Sequence, residues 1–224
     1  MSISLIFIAL FAIFLSAANH LKDKAELQVA IGQINIYAEA IDNFKDKYNF
    51  YPGDFPFAAK IGPEQNSGNG DHLVSDQDET LNAWLHLDVT EFIFYDFNYN
   101  RQLQHAKITA NMPELAKGKC GLQILADSKL NNVNFHFPKK QNFLRIAADK
   151  NFGNLSWSCL SGFEAKLYDQ KIDDGKPLTG NLYADQGHEL SWQEDNKLCI
   201  CPVGNFAEYC LALKKETCIM QLAL

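Results

Sequence analysis

Six cysteines, Cys120, Cys159, Cys199, Cys201, Cys210 and Cys218, are the residues of this chain best suited to covalent chemistry. An even count in a chain with an apolar start fits disulfides formed in an oxidising compartment outside the cytoplasm. Six cysteines allow 15 pairings, and spacing alone does not choose among them. Cys199 and Cys201, with a single residue between them, are not expected to pair with each other. Their one-residue spacing also differs from the two-residue spacing of most zinc sites. The six histidines, His20, His72, His86, His105, His136 and His188, are scattered without ligand spacing. No G-x-S-x-G, H-E-x-x-H, P-loop or dinucleotide glycine motif occurs, and no catalytic set is assigned. The carboxylates Asp71, Asp76, Asp78 and Glu79 cluster in a glycine-rich stretch. Hard oxygen donors there could hold calcium, although the EF-hand pattern is absent. No other cofactor and no metal ligand is expected. Asp173-Asp174-Gly175 reads as turn chemistry, in which Asp bonds nearby backbone and Gly supplies positive φ.

Those residues must be carried by a core. The chain has 224 residues, 47% of them hydrophobic, which is enough for one compact domain and too much for disorder. The formal charge is −7, from 20 basic and 27 acidic residues. No basic cluster interrupts this balance, which argues against a nucleic-acid partner.

Residues 3–18 contain no charge. Ile3, Leu5, Ile6, Phe7, Leu10, Phe11 and Phe14 make this run a candidate membrane anchor and assembly surface, slightly shorter than the ~20 residues of a full span. Ser16-Ala17-Ala18 resembles a signal-cleavage site, but no Lys or Arg precedes the apolar run and the helical pattern continues beyond Ala18. From Leu27 the apolar positions Ile31, Ile34, Ala38 and Ile41 form a one-sided helical stripe, with Lys24, Gln28, Gln33, Asp42, Lys45 and Asp46 opposite. One helix through Tyr48 would be roughly 70 Å long, too long for one small domain to cover. Pro52-Gly53-Asp54 ends it. The expected organisation is a helix over residues 1–50, membrane-anchored in its first half, and a globular α+β head over residues 51–224.

Within the head, Asn69-Gly70-Asp71 marks turns. Asp78-Glu79 opens a short helix running through Trp84, Leu85, Leu87 and Phe92. Residues 121–126, 134–137 and 155–159 read as strands, and 218–224 as a terminal strand. Residues 165–168 fit either helix or strand, and 171–175 read as a turn.

Four pieces, in order along the chain, resemble the type IV pilin superfamily, particularly its pseudopilin-like or prepilin-like members. They are the apolar helix, then Phe44, Lys47, Tyr48, Pro52, Gly53, Asp54, Pro56 and Ala58, then Asn69-Gly70-Asp71 with Glu79 and Ala83-Trp84-Leu85-His86-Leu87, and last Lys171-Ile172-Asp173-Asp174-Gly175-Lys176-Pro177-Leu178-Thr179-Gly180. One feature departs from the family: Phe7 stands where the superfamily carries a docking Glu, and the cleavage-point Gly is missing from this sequence. The resemblance implies a pilin-like α+β fold, a long N-terminal helix on a C-terminal antiparallel sheet. It implies a non-enzymatic filament subunit of a type IV pilus or type II secretion system, anchored once in the inner membrane with a periplasmic or extracellular head. Its partners would be membrane lipid and other pilin-like subunits. The resemblance also implies that Cys218 pairs with Cys199 or Cys201, with Cys210 as rival, and that Cys120 pairs with Cys159. The alternatives are a secreted enzyme or binding domain released near Ala18, and a membrane-anchored adhesin.

Overall fold

The computed structural model describes residues 2–62, 66–94, 103–116, 119–129, 136–149, 153–187, 199–203, 206–211 and 216–224. At Ile3, Leu5, Ile6, Phe7 and Leu10 it describes the backbone alone. It is an α+β protein with an N-terminal helix and a C-terminal antiparallel sheet.

Helix α1 runs unbroken over Ser2–Tyr48. Its 47 residues span about 70 Å. Asn49 ends it in the left-handed conformation (φ 60°), its N–H donating to the Lys45 carbonyl at 2.7 Å, and Lys45 and Lys47 in the last turn complement the helix dipole. Of the stripe, Ile31, Ile34 and Ile41 are buried in the main core beside Ala30, Tyr37, Ala40 and Phe44, Leu27 packs at its margin, and Ala38 is half-buried. Gln33 and Lys45, read as part of the polar face, are also tied to the head. The Gln33 side chain donates to the Glu114 carbonyl and accepts the Ala116 N–H at 2.7 Å, and Lys45 Nζ donates to the Tyr51 hydroxyl. Among the described residues, no helix is long and apolar enough to cross a membrane.

Among the described residues the head carries α2 (Gln77–Val89), α3 (Gly162–Ile172) and six strands. Strands β1 (Gly121–Lys129), β2 (His136–Ala147), β3 (Leu182–Gln186) and β6 (Cys218–Ala223) form one sheet in the order β1-β2-β6-β3, all neighbours antiparallel. Strands β4 (Ile200–Val203) and β5 (Phe206–Tyr209) make a separate pair. Across the larger sheet Leu122, Ile146, Met220 and Ala184 lie in one row, and all four join the core that holds the α1 stripe. The adjacent row, Gln123, Arg145, Gln221 and Tyr183, falls on the other face. There buried Arg145 is paired with Asp127 at 2.7 Å, and Gln123 holds both Asn154 and the Leu155 N–H.

Several local expectations change. Helix α2 stops at Val89 rather than running to Phe92, because Glu91 turns to positive φ and the Phe92 N–H reaches back to the Leu87 carbonyl, a Schellman-type ending. Residues 155–159 form no strand despite their alternation. They contribute one isolated bridge, Trp157 to Ala148, and the next residue, Leu160, bridges to Cys218. Residues 165–168 are helical, inside α3, which starts from a Ser161–Glu164 capping box. The first part of the expected strand at 134–137 lies outside the described residues, and β2 begins at His136.

The cysteines form three disulfides: Cys120–Cys159, Cys199–Cys218 and Cys201–Cys210. The first ties the residue before β1 to the segment leading into α3. The second ties the residue before β4 to the start of β6, and the third closes the β4–β5 hairpin. Their sequence separations are 39, 19 and 9 residues. Loop-closure entropy then ranks their removal at about 4, 3 and 2.5 kcal/mol. Paired Cys→Ala variants unfolded in urea are expected to lose stability in that order. A larger loss from opening Cys201–Cys210 than from opening Cys120–Cys159 would contradict the ranking.

Candidate functional site

Two buried aspartates organise the turns that stand out in the sequence. Asp54, fully buried, follows the helix exit at Pro52-Gly53. Its carboxylate accepts three backbone N–H groups from the glycine-rich loop: Gly70 at 2.7 Å and Asp71 at 3.1 Å on Oδ1, and His72 at 2.8 Å on Oδ2. The chain can come this close only because two residues lack side chains. A Cβ on Gly53, at φ +94°, would lie 2.2 Å from the Glu79 carbonyl oxygen, and one on Gly68 would lie 2.4 Å from Asp54 backbone atoms.

Helix α2 closes the assembly. Asp76 caps it and forms a reciprocal box with Glu79. Glu79 also accepts the N–H groups of Asn69 and Ser75, each at 2.9 Å. Two turns on, fully buried His86 accepts the Gly53 N–H on Nδ1 at 2.9 Å. That bond leaves the proton on Nε2, which donates to the Asn66 carbonyl at 3.0 Å. The His86 ring stacks against Phe44 of α1, and Trp84 meets Tyr37 edge-on at 5.2 Å. The helix exit, the loop and α2 are thus locked through one polar knot. Asn142 of β2 joins it to the sheet by accepting the Val74 N–H and donating to the His72 carbonyl, both at 2.8 Å.

The second aspartate is Asp169, near the end of α3 and also fully buried. It accepts the Gly175 N–H at 3.0 Å and the Tyr209 hydroxyl at 2.6 Å, which binds α3 to β5. Asp174 accepts the Lys176 N–H at 2.9 Å and the Thr179 hydroxyl, while Asp173 accepts the N–H groups of Asn181 and Leu182. Asp173-Asp174-Gly175 therefore is a hydrogen-bonded turn, with Gly175 at φ +78°.

Charge follows burial at these positions. Burial pushes the Asp54 carboxyl up to about 6, against the downward pull of the Gly70 and His72 N–H groups. Burial likewise raises Asp169 to about 6, opposed by its bonds from Tyr209 and Gly175. Burial lowers His86 to about 4, opposed by the Asn66 carbonyl. Burial and the adjacent Asp169 together drive Tyr209 well above the ordinary phenol range.

The carboxylates Asp71, Asp76, Asp78 and Glu79, which could have formed a calcium loop, are not gathered around a point. Asp71 accepts the Leu73 N–H, and Asp76 and Glu79 are used in capping. Among the described residues the one carboxylate trio close enough to share a cation is Asp169, Asp173 and Asp174, with ligand atoms within 4.8 Å. Each of the three already accepts hydrogen bonds from the protein. Of the histidines, His72 is exposed and stacks on Phe50 at 4.9 Å, and His105 is half-buried. His188 and the side chains of His20 and His136 lie outside the described residues. The sequence marks Pro52-Gly53-Asp54 only as a turn and leaves His86 unassigned. Their role depends on partners many residues away, and no local spacing announces it.

Compared with models of known protein families, with curated proteins and with solved structures, the chain matches none.

The His86 bond makes acid stability testable. The unfolded chain takes up a proton at His86 below about 6.5, and the folded chain refuses it down to about 4. Stability from this residue is therefore present near neutral pH and is lost as pH falls through that window. Between about pH 7 and pH 4.5 the native protein should lose about 2.5 kcal/mol more than His86→Gln. Asp54 and Asp169 act in the opposite direction, but equally in both proteins, so they cancel from the difference. Equal acid losses in urea titrations of the two would contradict the assignment.

Proposed function

We propose that this chain is a non-enzymatic, pilin-like or pseudopilin-like subunit of a filament, of the type IV pilus or type II secretion kind, with a pilin-like fold. The observation that carries this reading is the mismatch between α1 and its head. The helix continues without a break through residues 18–24, yet the head buries it only from Ala30 onward. Beyond the head, Phe11 and Phe14 are 64% and 69% exposed, and Leu15 and Leu21 are also exposed. At 100° per residue these four fall on one side of the helix, and exposed Val29 and Ile36 continue the same side beside the head. Water does not favour an apolar stripe of this length on a lone rod.

The stripe is suited to burial in lipid or against the same stripe of neighbouring copies. Residues 3–18 amount to about 24 Å of helix, short of the ~30 Å hydrocarbon core of a bilayer. Such a segment can exchange one apolar environment for the other as subunits assemble. The head, held by three disulfides, suits the outside of a filament in an oxidising compartment. A single-pass inner-membrane position, with the head periplasmic or extracellular, follows from the same reading.

A variant lacking residues 3–18 tests the proposal. It is expected to leave the membrane fraction for the soluble one and to lose the ladder of cross-linked oligomers formed by the full chain, with its disulfides intact. Unchanged fractionation and self-association would refute the filament reading. Intact anchoring with no oligomer ladder from the full chain would favour a solitary membrane-anchored adhesin.

A further inference from the structure

The sequence contains two Asx-Gly links, Asn69-Gly70 and Asp174-Gly175. These are the peptide links most prone to spontaneous rearrangement, because glycine puts no side chain in the way of ring closure. The glycine nitrogen attacks the side-chain Cγ of the preceding residue, forming an N–Cγ bond and a five-membered succinimide. At Asn69 the Cγ–Nδ2 bond breaks and ammonia leaves. At Asp174 water leaves instead. Water then opens either ring to aspartate or isoaspartate. Closure requires the glycine N–H to give up its proton.

The two links share an arrangement. Asn69 and Asp174 are both exposed, so solvent does not protect them. Each side chain accepts the N–H two residues ahead: Asp71 N–H on Asn69 Oδ1 at 2.8 Å, and Lys176 N–H on Asp174 Oδ1 at 2.9 Å. Each glycine sits at nearly the same positive φ, +76° and +78°. Each glycine N–H is donated to a fully buried aspartate, Gly70 to Asp54 Oδ1 at 2.7 Å and Gly175 to Asp169 Oδ1 at 3.0 Å. Gly70 N–H also reaches the Asp54 carbonyl at 3.2 Å. We infer that Asn69 and Asp174 are self-modification sites that the fold holds in check, with Asp54 and Asp169 retaining the glycine proton that ring closure must remove.

The physical basis is electrostatic. Deprotonating the glycine nitrogen would place an amide anion against a carboxylate in a poorly solvated site, where like charges disfavour each other. A hydrogen bond to a charged acceptor is also stronger than a neutral one and must be broken first. The side-chain bond to the second N–H further keeps the Asx carbonyl turned toward residue i+2. Nothing in this depends on filament assembly, so it stands or falls separately from the proposed function.

The test holds the folded protein at about pH 8, where Asp54 and Asp169 are ionised, and follows ammonia loss and isoaspartate at residue 69, and water loss and isoaspartate at residue 174, by peptide mass spectrometry. The reduced chain unfolded in urea is the reference. Asn69 should react at least about tenfold more slowly in the folded protein. Asp54→Asn should speed reaction at Asn69 severalfold and leave Asp174 unchanged, and Asp169→Asn should do the reverse. Leu122→Ala, which weakens the core away from both turns, serves as the control for general loosening. If it raises both sites as much as the aspartate variants do, or if Asp54→Asn leaves Asn69 unchanged or slows it, the inference is wrong. Hydrogen exchange of the unmutated protein gives an independent reading of the same proton. The Gly70 and Gly175 amides should be protected like those inside α2, and exchange at the free-peptide rate would overturn the inference without any variant needing to fold.

Discussion

A helix of 47 residues on a head that covers only its second half sets the terms for everything else in this protein. Burying Ala30, Ile34, Ile41 and Phe44 stabilises the junction by roughly 1.5–3 kcal/mol for each large side chain removed from water. The same helix then carries Phe11, Phe14, Leu15 and Leu21 away from any cover the chain itself supplies. On the proposed reading, lipid or other copies of the chain supply the cover that these residues lack. The junction must also resist whatever acts on the rod, since force on the exposed half is delivered to the helix exit.

That exit is where the buried polar groups concentrate. Asp54, Glu79 and His86 each spend their capacity on backbone N–H or carbonyl groups rather than on solvent. Buried polar groups are costly unless satisfied, and satisfied ones fix a single arrangement. Apolar packing of Phe44 against Tyr48, Phe55 and His86 fills the space around the knot. The last residue shares in it, since the Tyr51 hydroxyl donates to the Leu224 carbonyl and the Leu224 N–H to the Asn142 carbonyl. The rod is thereby anchored to both the loop and the sheet, and three disulfides cross-link the rest of the head. The polar side chains of Asp54, Glu79 and His86 serve here to fasten backbone.

The long helix is legible because an uncharged apolar run leads without a break signal into the Leu27–Ile41 stripe, and the α2 start because acidic residues precede an apolar run. Helix α3 was ambiguous from residues 165–168, although Ser161 and Glu164 already spell a capping box. Residues 155–159 misled by alternation. Their segment is pinned by Cys159 and by single bridges instead of a ladder. The deeper limit concerns Asp54 and His86. A Pro-Gly-Asp turn is visible locally, but the N–H groups that Asp54 accepts come from residues 70–72, and the bond to His86 spans 33 positions. Only the folded chain brings them together. Val29 and Ile36 lie on the other side of α1 from the head-facing stripe, so the period of that stripe does not mark them.

The central claim is that the uncovered side of α1 is covered in the cell by lipid or by another copy. A photo-cross-linking amino acid placed at Phe14, with a matching one at buried Ile34 as control, reports its neighbour directly. The account predicts adducts to lipid or to a second copy from position 14, and only adducts within the same chain from position 34. Adducts from position 14 confined to the chain's own head would contradict it.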